Sequence, residues 1–285
     1  MRLPGMLSRL LLATYPRKRL LISTPFVSST AMASFGSAAS YVTIPNSPSR
    51  PRLRGVVFDM DGTLTVPVID FSAMYKDVLG EEEYLALKAR NPSGIDILHH
   101  IETWTADEQQ KAYKVIARFE RLGIDRLQIM PGASELCSIL DEKKISILLR
   151  LWLLSSIKLS KAALIRRGLI TRNVKEAVDI FHTRFGLKFL PALSREFRPY
   201  KPDPAPLHFI CSAWGVRPSE VIMIGDSLND DVACAKRAGA YACLLDETGR
   251  YNSLEYANVE HKPDFTVSSL AQIHSLLGAN FDLIP

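Results

Sequence analysis

The stretch Arg54-Gly-Val-Val-Phe-Asp59-Met-Asp61-Gly62-Thr63 places two carboxylates one residue apart at the end of a short apolar run, followed by a glycine and a hydroxyl. A buried parallel strand delivers charge to a sheet edge in this way, and a carboxylate pair there can hold a metal and attack a substrate. Asp and Gly after a strand also make ordinary turns, so the pair takes its meaning from what lies downstream. Val221-Ile-Met-Ile-Gly225-Asp226-Ser-Leu-Asn-Asp230-Asp231 repeats the design. Asp230, four residues after Asp226, returns to the same side once a helix has started, and Asp231 reads as helix-start charge. Two acids beside two others make a negative pocket that requires a hard cation. Mg²⁺ suits it, accepting one or two carboxylates together with waters and a substrate phosphate.

Two further polar groups fall at the ends of elements. Gly168-Leu-Ile170-Thr171-Arg-Asn173 reads as a short buried strand ending in a hydroxyl, and Lys201-Pro202-Asp203-Pro204 precedes a helix over 207–214. The prolines hold the chain extended, start the helix and so direct the Lys201 ammonium.

The elements that must position these groups alternate in type. Apolar runs at 54–58, 168–170, 189–194, 221–225, 241–245 and 264–267 read as strands, with a terminal helix over 268–277. Between the first two, residues 70–130 change to helical periodicity. Phe71, Met74, Tyr75, Val78 and Leu79 share one face, as do Ala112, Val115, Ile116, Phe119 and Leu122. Ser93 offers a cap for a helix over 95–104, and Thr105-Ala-Asp-Glu108 has the capping-box spacing. Such a block can act as a lid that excludes water from the strand ends. His99 and His100, about 100° apart on a helix, read with Glu102 as a solvated face.

Composition excludes several classes. Four scattered cysteines without Cys-x-x-Cys or zinc spacing argue against a disulfide framework or a structural metal. The net charge is +5, but eight basic residues and no acid precede Asp59, which leaves 5 − 8 = −3 for the remainder and gives no reason to propose a nucleic-acid groove. Residues 1–50, rich in Ser, Ala, Leu and Arg and without an apolar run long enough to span a membrane, read as an organellar transit peptide. Ser, Thr and Ala dominate residues 23–43 over Arg, which favours chloroplast over mitochondrion. The strongly apolar, acid-free stretch 146–165 is out of place in a helix-to-strand connection of about 2 to 6 residues. It reads as an insertion peculiar to this chain, such as translated intron sequence, entering at the strand's amino end and away from the catalytic edge.

The ordered set Asp59-x-Asp61-Gly62-Thr63, Thr171, Lys201-Pro202 and Gly225-Asp226-x3-Asp230 resembles the haloacid dehalogenase-like hydrolase superfamily, in its phosphatase branch with a small helical cap. The resemblance covers about 55–277 apart from the apolar stretch. It implies an α/β fold with a Rossmann-like parallel sheet core over 51–69 and 131–285, and a helical cap over 70–130 inserted after the first strand. The activity it implies is magnesium-dependent hydrolysis of a small phosphomonoester, with a small phosphorylated metabolite as partner. Asp59 would be the nucleophile, Asp61 the acid and base, Thr171 and Lys201 the groups that steady the phosphoryl group. Gly62 and Asn173 would join Thr171 and Lys201 around the phosphate. Asp59, Asp61 through its carbonyl, Asp226 and Asp230 would serve Mg²⁺. The presence of Asp61 favours phosphate esters over halide displacement. The competing readings are a phosphomutase of the same superfamily, an inactive binding protein and a nonfunctional splice form.

Overall fold

The computed structural model describes residues 50–91, 94–141, 165–253 and 256–284. All but the last residue of the stretch 1–50 expected as a transit peptide, Ser93 as a cap, and all but the last residue of the apolar stretch 146–165 lie outside the described residues.

Six strands form one parallel sheet: β2 (Gly55–Phe58), β3 (Arg166–Ile170), β4 (Ala192–Leu193), β5 (Val221–Gly225), β6 (Tyr241–Leu245) and β7 (Phe265–Val267). Their order is β4-β3-β2-β5-β6-β7, so β2 sits at the centre and pairs with β3 on one side and β5 on the other. The chain runs outward one way from β2 and then returns to run outward the other way. That reversal opens a crevice beyond the carboxyl ends of β2 and β5, where open α/β sheets bind ligands. A parallel pair, β1 (Arg52–Leu53) with β8 (Asp282–Leu283), ties the two ends of the described chain together; two-residue pairings carry no periodic signal, and sequence reading did not find this one.

The strands alternate side chains between two cores. Val56 and Phe58 of β2 and Ile222 and Ile224 of β5 face one side, against α5 (133–141), α6 (Lys175–Phe185) and α9 (Ala271–Asn280). Val57 and Met223 face the other, against α7 (Ala205–Trp214) and α8 (Ala233–Ala238). Burial on both faces explains the near-continuous apolar runs. Strand β4 is shorter than the expected 189–194, and residues 201–204 form turns where an extended run was expected. The terminal helix starts at Ala271, three residues later than expected.

Between β2 and α5 the chain forms α1 (Phe71–Leu79), α2 (Glu81–Arg90), α3 (Ile97–Ile101) and α4 (Ala106–Asp125). Thr105 and Glu108 form the expected reciprocal capping box on α4. Helix α3 is shorter than the expected 95–104, and its N-cap is Asp96, whose carboxylate accepts from the His99 amide at 3.2 Å. These helices enclose a small core of their own around Met74, Ile97, Leu98, Ile101, Ala112 and Ile116. Leu122 is exposed, whereas Glu120 of the same helix is buried. No helix among the described residues is long and apolar enough to cross a membrane.

Gly55 lets α7 approach the sheet, because a Cβ there would overlap the Trp214 ring. Gly55→Ala is therefore expected to destabilise the protein by about 1–3 kcal/mol through overpacking, read as a lower urea midpoint with unchanged slope; an unchanged midpoint would show that the ring yields freely.

Candidate active site

Asp59 is the first residue past β2, and its amide still donates to the Ile224 carbonyl of β5 at 2.9 Å. The chain then turns sharply. The Gly62, Leu64 and Thr65 amides donate to the carbonyls of Thr65, Met60 and Met60 at 2.8–2.9 Å, and the Thr65 hydroxyl donates to Met60 at 3.0 Å. Gly62 has φ +81°, and a Cβ there would sit 2.8 Å from Asp226 Oδ2, so both conformation and proximity call for glycine. This turn sends Asp61 back over the strand ends beside Asp59.

Thr171 follows β3, its amide held by the Leu193 carbonyl of β4 at 2.9 Å. Its hydroxyl donates to Asp61 Oδ2 at 3.3 Å, and the Asn173 amide group donates to both Asp61 oxygens at 3.2 and 3.1 Å. Burial lifts the Asp61 carboxyl above the ordinary carboxylate range, against the pull of these hydrogen bonds.

Lys201, only 2% exposed, places Nζ 2.6 Å from Asp59 Oδ1 and 2.6 Å from Asp231 Oδ1. Burial opposes its charge, but Asp231 and Asp59 outweigh burial and hold the ammonium above the usual lysine range. One cation cannot neutralise the carboxylates around it. Burial, countered by Lys201 and reinforced by Asp226 and Asp61, pushes Asp59 up to about 7. Burial likewise carries Asp231 to about 7, and burial with repulsion from Asp231 carries Asp226 to about 6.

Asp59, Asp226 and Asp231 each offer one oxygen, all within 4.8 Å of one another. An all-oxygen set of mutually repelling, buried or half-buried carboxylates suits a hard divalent cation. Asp231 stands where spacing had placed Asp230. The turn after β5, Leu228–Val232, is a π-helix, and the Val232 amide reaches the Ser227 carbonyl at 3.1 Å. Its wider turn brings the residue five after Asp226, rather than four, back to the site. Gly225 makes the room, because a Cβ there would overlap the Asp231 carboxylate. Asp230 instead accepts from Arg172 Nη1 with both oxygens at 3.1 Å.

These groups line a cavity of about 580 Å³, walled on the opposite side by residues of α1, α3 and α4. Sequence reading missed three of its arginines. Arg172 bridges Asp230 to the cap residue Asp96, and Arg195 makes a two-pronged pair with Glu120 of α4. Arg250 donates to Asp226 Oδ2 at 3.0 Å and to its carbonyl at 2.7 Å. The signal that could have flagged Glu120 is its place between the apolar positions Ile116 and Ile124, at four-residue spacing along one face of α4. His99 is 77% exposed at its side chain and pairs with Glu102, outside this site.

A family profile described as haloacid dehalogenase-like hydrolase matches residues 53–239. A haloacid dehalogenase-like hydrolase domain-containing protein of Arabidopsis thaliana is 56% identical over 265 residues, covering 93% of this chain and 99% of that one. A phosphoglycolate phosphatase of Pasteurella multocida is 36% identical over 98 residues, 34% of this chain and 39% of its own. Among solved structures, a hydrolase from Pseudomonas syringae aligns with a TM-score of 0.60 at 20% identity, covering 80% of this chain and all of its own, 100%.

Two expectations follow from the geometry. Because Asp59, Asp226 and Asp231 sit above the carboxylate reference of 3.8 when folded, the native state holds more protons than the unfolded chain between about pH 4 and 7. Their contribution to metal-free stability therefore falls as pH rises through that window, while a divalent cation binds the ionised forms. The rise in Tm on adding Mg²⁺ is expected to be small at pH 5 and several-fold larger at pH 8; an equal rise at both would contradict a site built on these three carboxylates. Gly225→Ala, which displaces Asp231, is expected to weaken Mg²⁺ binding by about tenfold or more, measured by calorimetric titration.

Proposed function

The chain belongs to the haloacid dehalogenase-like hydrolases, and on that premise we propose that it is a magnesium-dependent phosphatase that hydrolyses a small phosphomonoester through an aspartyl-phosphate. The observation that carries this reading is the division of labour between two carboxylates. Asp59 lies in the metal-ligating set beside Lys201, whereas Asp61 is held apart from that set by Thr171 and Asn173. The likeness to phosphoglycolate phosphatases supports the type of chemistry, and it spans too little of the chain to carry their substrate across.

In the proposed reaction an Asp59 oxygen attacks phosphorus and the phosphorus–oxygen bond to the alcohol breaks. Asp61, whose buried carboxyl holds a proton more readily than usual, delivers that proton to the departing oxygen. Water then attacks phosphorus, gives a proton back to Asp61, and frees Asp59 and inorganic phosphate. Lys201 keeps Asp59 oriented and offsets charge on the transferring group, and Thr171 with Asn173 fixes Asp61 at the edge of the cavity. Asp59, Asp226 and Asp231 would hold Mg²⁺, which when bound screens the phosphate's negative charge from the attacking carboxylate. Gly62 lets the turn after Asp59 lie against the Asp226 carboxylate, where a Cβ would sit 2.8 Å from Oδ2, and its backbone is the part of the turn that would face the phosphate.

The two carboxylates are separable by mutation. Asp61→Asn is expected to lower kcat by about 10²–10⁴-fold while retaining the Mg²⁺-induced rise in Tm. Asp59→Asn is expected to lose both turnover and part of that rise. A phosphate-ester panel read by released phosphate is the test; full turnover by Asp59→Asn, or isomerised ester without released phosphate, would overturn the reading.

A further inference from the structure

Every basic side chain that lines the cavity among the described residues already faces a carboxylate. Lys201 lies between Asp59 and Asp231, Arg250 on Asp226, Arg172 between Asp96 and Asp230, and Arg195 on Glu120. Neither 92–93 nor 254–255, the short stretches flanking the lining residues Gly94 and Tyr256, contains a Lys or Arg in the sequence. The lining acids outnumber the bases, seven (Asp59, Asp61, Asp96, Glu120, Asp226, Asp230, Asp231) to four. A divalent cation removes part of this excess, and the phosphoryl group of a substrate then restores negative charge. Among the described residues, a leaving group that brought a carboxylate of its own would meet no lining base free of a carboxylate partner, and like charges brought together in a partly desolvated space repel.

The cap's share of the lining completes the picture. Ile69, Phe71, Met74, Ile97, Leu98 and Ile116 present carbon to the cavity from the elements that cover the strand ends. Such a wall contributes binding through buried apolar area. Besides Tyr75, the cap adds two charged residues to the lining, Asp96 and Glu120, and both are acids. Glu120 is the residue that fixes this choice nearest the proposed acid. It is 8% exposed, it lies close enough to Asp61 for the two charges to interact, and it occupies the guanidinium of Arg195, whose backbone amide is tied to the Asn173 carbonyl at 3.0 Å. Arg195 could otherwise present a two-pronged carboxylate site beside the leaving group.

We infer that the alcohol released by this enzyme is uncharged and carbon-rich, and that Glu120, by occupying Arg195, excludes esters whose leaving group carries a carboxylate. The inference rests on the phosphatase reading above and deepens it. Glu120 and Arg195 are specificity-determining residues in this account and take no part in the bond-making steps.

A matched pair of esters tests it: 2-hydroxyethyl phosphate and 2-phosphoglycolate, which differ by a hydroxymethyl group against a carboxylate. With Mg²⁺, the wild-type protein is expected to favour the neutral ester in kcat/KM by about tenfold or more. Glu120→Gln, which leaves Arg195 without its anionic partner, is expected to shrink that preference at least about fivefold, chiefly through KM for the carboxylate ester. A wild-type preference for 2-phosphoglycolate would overturn the inference, and this readout stands even if the variant does not fold. An unchanged ratio in a folded Glu120→Gln protein would overturn the role given to Glu120. Binding of the same two esters to the Asp61→Asn protein, measured by calorimetry, separates this inference from the one beneath it. Tighter binding of the neutral ester without turnover by the wild type would sink the phosphatase reading and uphold the selectivity, whereas tighter binding of the carboxylate ester would sink the selectivity whatever is turned over.

Discussion

The Lys201 ammonium, buried between Asp59 and Asp231, is the contact on which the rest of the site depends. It joins three separate parts of the chain: the turn after β2, the turn ahead of α7 and the π-turn after β5. The Lys201 ammonium and the Arg250 guanidinium leave Asp59, Asp61, Asp226 and Asp231 short of positive charge, and burial with mutual repulsion holds Asp59, Asp226 and Asp231 well above the ordinary carboxylate range. Removing one partner from such a cluster leaves an uncompensated buried charge, a strongly destabilising event. The cluster therefore carries an electrostatic deficit that a divalent cation would relieve, and the fold keeps the groups together through strands buried on both faces.

The sheet explains how distant residues reach one centre. The reversal of strand order at β2 and β5 creates the crevice, and adjacent parallel strands deliver Asp59, Thr171 and Asp226 at the same edge. Two glycines then allow the side chains to close in. Gly62 turns the chain back with a positive φ beside Asp226, and Gly225 yields the space that Asp231 fills. Above this edge, the cap is joined to the sheet by ion pairs at Glu120–Arg195 and Asp96–Arg172, so the groups that cover the site also set its charge.

Much of this was legible in the residues themselves. Apolar runs that end abruptly in Asp, Thr or Gly-Asp mark strand ends, and β5 and β6 have the boundaries that the runs imply. The change to helical period marked the cap, and the Thr105–Glu108 spacing marked the start of α4. What escaped depends on tertiary contacts. Asp230 and Asp231 are adjacent acids, and only the hydrogen-bond pattern of the turn decides which one faces the metal-ligating set. Arg172, Arg195 and Arg250 stand in no motif, and only tertiary packing gives each a carboxylate at the cavity. Glu120 defied its apolar helix face because its partner lies 75 residues away.

The proposed reaction turns on covalent phosphorylation of Asp59. Its most direct test is rapid mixing of the wild-type protein and Mg²⁺ with an ester labelled in the phosphoryl group, followed by acid quenching and peptide mapping. A hydroxylamine-labile phosphoryl adduct is expected on the peptide that carries Asp59, formed before free phosphate accumulates. Release of phosphate in the same experiment with no labelled protein at any time, or with label on a different residue, would contradict it.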